Sequence, residues 1–167
     1  MHPLAHLLVG AIVGAVAPNP GLSLLGGVVS HVVLDAVPHT EEETFTRGRR
    51  RGYRLVIVED GAHHRRLRLT PGLVVAGFEL LAGILIIALL ITRCHGLSPW
   101  SVGLGAFGGI LPDLVDAPAH VLFRIRLMHL SKLHWTVTRR YALWGILTQV
   151  ALAGGAAALL WRIGGCG

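Results

Sequence analysis

Two long stretches of this chain are almost free of charge: residues 71 to 91, interrupted only by Glu79, and residues 141 to 161, which carry none. Crossing a hydrocarbon core of about 30 Å takes about 20 apolar residues, so both stretches are expected to be membrane-spanning helices. Residues 97 to 112 form a third uncharged run that leads directly into Pro112-Asp113, and it reaches spanning length only by taking in the acids that follow. At the N-terminal side an apolar run from Leu4 to Val37 is broken by Pro18-Asn19-Pro20. As one helix it would be about 51 Å long at about 1.5 Å per residue, too long for a bilayer core, so a helical hairpin with short arms is expected.

Charge then orients these segments. Of the fifteen Lys and Arg, eight lie between Arg47 and Arg68 and five between Arg124 and Arg140, leaving Arg93 and Arg162 elsewhere. Basic loops stay on the cytoplasmic side, which puts the N-terminus and both basic segments inside and the C-terminus outside. A hydrophobic share of 53% fits a membrane domain, and the basic loops point to lipid headgroups as partner, not to nucleic acid. The expected fold is an all-α, polytopic bundle of about five hydrophobic segments in one domain, residues 1–167. It divides into an N-terminal hairpin (1–39), a basic loop or flap (40–70), a second hairpin (71–122), a second basic loop (123–140) and a final span (141–163). Within the first loop, residues 54–69 turn at Glu59-Asp60-Gly61 and alternate Arg-Leu-Arg-Leu, which suggests a short hairpin, either a lid or a lipid-gripping loop. The first 17 residues lack the basic start of a secretory signal. Cys94 and Cys166 lack a Cys-x-x-Cys spacing, so no cysteine zinc site is expected; inert small apolar residues are the leading reading and a disulfide the alternative.

The hairpins show a weak internal repeat. Gly26-Gly27-Val-Val-Ser-His31-Val-Val-Leu-Asp35-Ala-Val-Pro-His39 parallels Gly108-Gly109-Ile-Leu-Pro-Asp113-Leu-Val-Asp116-Ala-Pro-Ala-His120 with one residue deleted. His6 and Glu79 take matching places in the preceding helices. Residues three or four apart share a helix face, so His31, Asp35 and His39 form one polar stripe and Asp113, Asp116 and His120 another. Pro38 and Pro118 threaten the last turn of each helix. His129-Leu-Ser-Lys-Leu-His134 stands just before the final span, and every one of these groups falls at the same membrane face.

Ionisable residues inside a span are costly and usually pair, line a cavity or mark a functional path. Polar packing at helix ends and proton or ion transport are the alternatives to metal chemistry here. His31, Asp35, His39, Asp113, Asp116, His120 and His134 are the candidate ligands. His6, Glu79 and His134 are the candidate catalytic residues, with His6 or Glu79 completing the metal shell or carrying a proton, Glu79 lying about 12 Å into its helix. So many groups exceed one tetrahedral site and suggest two divalent ions about 3.5–4 Å apart. Mixed imidazole and carboxylate donors suit zinc first, then manganese or iron. Arg124, Arg126 and Lys132 stand where they would hold a substrate phosphate or simply fix topology.

His6 in Leu-Ala-His-Leu-Leu, Asp113 and Asp116 in Leu-Pro-Asp-Leu-Val-Asp, and His129 with His134 at a spacing of five form a pattern that resembles the bacterial inner-membrane metal-dependent hydrolases of the YdjM-like type. The Arg-Gly pair of that family's second motif is absent, the Asp pair is one residue wider, and no His directly follows Asp116. The resemblance implies a metal-dependent hydrolase at the cytoplasmic face, and a lipid or lipid-linked phosphoester is the expected substrate. The rival expectation is a metal-ion or proton transporter built on the same polar cluster.

Overall fold

The computed structural model describes residues 3–37, 56–60, 64–68, 71–123 and 142–166, with side chains described for 3–37, 74–115 and 143–166. Five helices account for most of it: α1 (Pro3–Val16), α2 (Pro20–Asp35), α3 (Pro71–Arg93), α4 (Pro99–Phe123) and α5 (Ala142–Ile163). The break at Pro18-Asn19-Pro20 is the hairpin turn that the sequence demands. Asn19 is the N-cap of α2, its side-chain oxygen accepting from the Leu22 amide at 2.9 Å, and Pro20 takes the first helical position, where a missing N–H costs nothing. Pro112 and Pro118 do not end α4, which continues to Phe123, so each withdraws one backbone donor without breaking the rod.

Residues 56–60 and 64–68 add a feature outside an all-α scheme. Strands β1 (Val56–Asp60) and β2 (His64–Arg68) pair antiparallel, with Val56 opposite Arg68 and Asp60 opposite His64. The short hairpin expected over 54–69 is therefore present as a two-stranded ribbon.

Two helices are long and apolar enough to cross a membrane, over Val74–Arg93 in α3 and Leu143–Ile163 in α5, while α1 and α2 are shorter apolar helices. Only 17% and 22% of the two apolar windows are buried, which separates them from the core helices of a water-soluble fold. Phe78, Leu81 and Leu85 on α3, and Leu147 and Val150 on α5, turn outward instead.

The packed heart is the trio α1, α2 and α4. Glycines set its spacing, because a backbone without Cβ lets helices approach closely. A Cβ placed on Gly105 would fall on the Gly10 carbonyl oxygen and lie 2.7 Å from Gly14 Cα. Gly27 of α2 meets the same stretch of α4, 3.0 Å from Gly108 Cα to its would-be Cβ. These contacts run α1 antiparallel to α4, with His6 beside Gly109 and Gly14 beside Ser101, and α2 parallel to it. α3 and α5 flank α1 on its other sides, burying Leu8, Val102 and Leu160 in the common core.

The two hairpins are not packed alike. α1 and α2 lie against each other, whereas α3 and α4 part company after Cys94 and barely touch. Cys94 and Cys166 form a disulfide, with their Cα atoms 4.4 Å apart, which corrects the reading of both as inert. Neither sequence spacing nor hydropathy records that the end of α5 returns to the end of α3.

Candidate metal centre

At the end of the bundle remote from the disulfide, α1, α2 and α4 each deliver one or more polar side chains. His6 enters from the first turns of α1 and is fully buried, at 0% exposure. His31 and Asp35, one turn apart on α2, face the same way, and Asp113 comes from α4 directly after Pro112. The imidazoles of His6 and His31 stack, centroids 4.1 Å apart and planes inclined by 24°. Asp35 straddles the two rings: one carboxylate oxygen is 3.4 Å from His6 Nε2 and the other 3.4 Å from His31 Nε2. Asp113 closes the group with an oxygen 3.7 Å from His31 Nε2.

The protonation pattern of His31 follows from its surroundings. Its Nδ1 lies 2.8 Å from the Gly109 carbonyl oxygen, which can only accept, so Nδ1 carries the hydrogen. In the neutral ring Nε2 is then a lone pair directed at two carboxylates, an arrangement of acceptors against acceptors that calls for a proton or a cation between them. A ring N–H anchored on a backbone carbonyl is also how a metal-ligating histidine is usually held. His6 presents a related problem, since neither of its buried ring nitrogens has a hydrogen-bond partner. The 3.4 Å to Asp35 exceeds the usual N–H···O range.

One ligand atom each from His6, His31 and Asp113 lies within 4.8 Å of the others, so a small ion could draw all three in with modest side-chain movement. Burial grades across the group, from the sealed His6 through Asp35 at 19% to Asp113 at 55%, which leaves the Asp113 side open. Three protein ligands and an open side are the arrangement of catalytic zinc centres.

Gly109 serves the site twice. Its carbonyl orients His31, and its missing Cβ makes room for α1, because an added methyl would fall on the His6 carbonyl oxygen and 3.0 Å from the His6 carbonyl carbon. Sequence reasoning used this glycine only to align the repeat; its position four residues before Asp113 in a Gly-Gly pair was the available signal.

Of the candidate residues, His6, His31, Asp35 and Asp113 are brought together. Glu79, half-buried on α3, is not part of this group. Asp116 and His120 lie on α4 with side chains outside the described set, and His39, Arg124, Arg126, His129, Lys132 and His134 lie outside the described residues. His95 is exposed in the turn after α3. The aligned pair His31 and Asp113 meets in space.

No protein-family model matches the chain, and neither the curated proteins nor the solved structures give a match.

Proposed function

We propose that this protein is a membrane-embedded, metal-dependent hydrolase, with a divalent ion held by His6, His31 and Asp113 and with Asp35 beside it. The observation that carries the reading is the pair of stacked imidazoles. His31 has its Nδ1–H committed to Gly109 and its Nε2 turned to two carboxylates, and His6 is sealed with both nitrogens lacking hydrogen bonds. A buried polar group without a hydrogen bond costs about 1–3 kcal/mol, and a cation shared with His31 and Asp113 would remove that cost at His6. Imidazole and carboxylate donors favour zinc, with manganese or iron next. The described residues supply ligands for one ion; a second would draw on Asp116, His120 and His134.

A bound divalent ion supplies Lewis acidity and a water ionised near neutral pH. The chain's own groups do the rest. Asp35, within reach of both imidazoles, is placed to accept a proton at its carboxylate, and Asp113 stands at the open side where substrate enters. Gly109 fixes the His31 ring, so its Nε2 is aimed before any ligand arrives.

The membrane reading rests on the exposed apolar faces of α3 and α5. All thirteen of the clustered Lys and Arg belong to segments that adjoin the polar end of the bundle, and this charge bias supports a reading with that end at the cytoplasmic headgroups, the N-terminus inside and the C-terminus outside. Arg124 and Arg126 follow α4 immediately and, with Lys132, would hold the phosphate of a lipid or lipid-linked ester at that depth. A transporter is the weaker reading. The seam beyond the cluster is mostly glycine and apolar side chains, with Ser101 toward its far end, and the Ser23 and Ser30 hydroxyls near it are turned back onto carbonyls of Asn19 and Gly27.

Metal analysis of protein purified without chelator tests this directly. About one ion per chain in the wild type, lost in Asp113→Asn, together with turnover of a phospholipid or lipid-linked phosphoester, is the expected result. Near-zero metal in both proteins would overturn the metal site, and full metal without turnover would favour transport.

A further inference from the structure

The Gly164-Gly165-Cys166 tail is shaped to do one thing. Gly165, at φ 62°, ends α5 in the left-handed conformation that glycine adopts at no steric cost. The Gly165 amide then donates to the Arg162 carbonyl and the Cys166 amide to the Trp161 carbonyl, the paired bonds of a Schellman turn, which reverse the chain. Gly164 leaves room for its neighbour: a Cβ there would stand 2.6 Å from Cys94 Cβ and 2.9 Å from Leu97. The Gly96 amide donates to the Gly164 carbonyl at 3.0 Å beside the bond, and both half-cystines are buried, Cys94 at 1% and Cys166 at 9%. Elsewhere α3 and α5 barely touch, because α1 stands between them.

We infer that Cys94–Cys166 is an extracytoplasmic clasp, closed by thiol–disulfide exchange in an oxidising compartment, which locks α3 and α5 around α1 and pins the C-terminus outside. The inference rests on the membrane reading above. Pro99, where α4 begins five residues after Cys94, and Asp113, in the polar group, are separated by about 21 Å along α4 at about 1.5 Å per residue. A lasting structural disulfide belongs to an oxidising compartment. The opposite end adjoins the basic segments that mark the reducing side. Two independent signals, one redox and one electrostatic, thus give the same orientation. In closure, a Cys94 thiolate attacks the disulfide of an oxidised carrier protein and releases one carrier thiol. Cys166, as thiolate, then displaces the second, so the carrier takes both electrons and leaves as a dithiol while two protons pass to it or to water.

The test uses the full chain, whose only two cysteines are these. Cells are acid-quenched or converted to right-side-out and to inverted vesicles, then treated with a membrane-impermeant reductant and an impermeant maleimide that shifts the band on a gel. No labelling before reduction, and two labels per chain after reduction in right-side-out vesicles only, is the expected result. Two labels in quenched cells without reductant would overturn the disulfide, and opening only in inverted vesicles would overturn its outward position. Cys94→Ser/Cys166→Ser is expected to melt about 5 °C or more lower while keeping its metal. An unchanged Tm would overturn the clasp. Metal measured on the same samples reports separately on the polar site, so failure there leaves the labelling result intact.

Discussion

A single methyl group added at Gly109 should damage the metal centre far more than the fold. The alanine Cβ would land on the His6 carbonyl oxygen, 3.0 Å from the carbon behind it and 3.4 Å from Gly10 Cα. Ordinary carbon–oxygen contact lies at about 3.5 Å, so α1 must retreat at His6 by roughly 1 Å. Overpacking of this kind costs about 1–3 kcal/mol, and the better helix propensity of alanine returns about 0.8–1 kcal/mol, leaving a net loss of about 0–2 kcal/mol. Metal bonds are less forgiving, since a ligand shift of more than about 0.2 Å already falls outside normal coordination distances. His31 keeps its bond to the Gly109 carbonyl, so the loss isolates the His6 contribution. We expect metal affinity to fall by about 10- to 100-fold, the range for disturbing a ligand's support, with the helical circular dichroism unchanged. Gly103→Ala on the same helix is the control, because nothing lies within 4 Å of its would-be Cβ. Competition with a calibrated chelator measures both variants. Equal affinities for Gly109→Ala, Gly103→Ala and wild type would refute the argument that α1 seats His6 against Gly109.

Other perturbations probe different parts of the structure. Asp35→Asn removes charge from the group that spans both imidazoles and should lower metal affinity at least tenfold without loss of helix content, as read by the same chelator titration. Stripping the metal should lower the Tm of wild type, because an ion at 100 times its Kd contributes about 2.7 kcal/mol, and should leave the Tm of His31→Ala unchanged. Leu160→Ala, at a fully buried position between α5 and the core, should destabilise by about 2–5 kcal/mol in detergent unfolding. Gly105→Ala, which pushes against both Gly10 and Gly14, should also destabilise, by about 1–3 kcal/mol, and more than Gly103→Ala.

What could be seen in the sequence was whatever has a local signature. The hairpin break at Pro18-Asn19-Pro20, the charge-free runs that became α3 and α5, and the ribbon around Glu59-Asp60 all follow from residues near one another. The shared face of His31 and Asp35 follows from a spacing of four, and Asp113 was drawn in by the repeat. The repeat itself did not foretell packing, since α3 and α4 separate where α1 and α2 stay together. Two features depend on contacts between distant residues and had no pattern to betray them. The disulfide joins residues 72 apart, and the fit of His6 against Gly109 depends on how closely two glycine-bearing helices can approach. For His6 the sequence leaves open whether it completes a metal shell or carries a proton; what it does not reveal is that the ring is fully buried and stacked on His31, within reach of the same group.

The central claim concerns one ion between two imidazoles and a carboxylate, and X-ray absorption at the edge of whichever metal copurifies addresses it without assuming a substrate. For zinc, a first shell near 2.0–2.1 Å with the multiple-scattering signature of two imidazoles, reduced to one in His6→Ala, is the result this account predicts. A shell of oxygen alone, or one that keeps both imidazoles in His6→Ala, would contradict it.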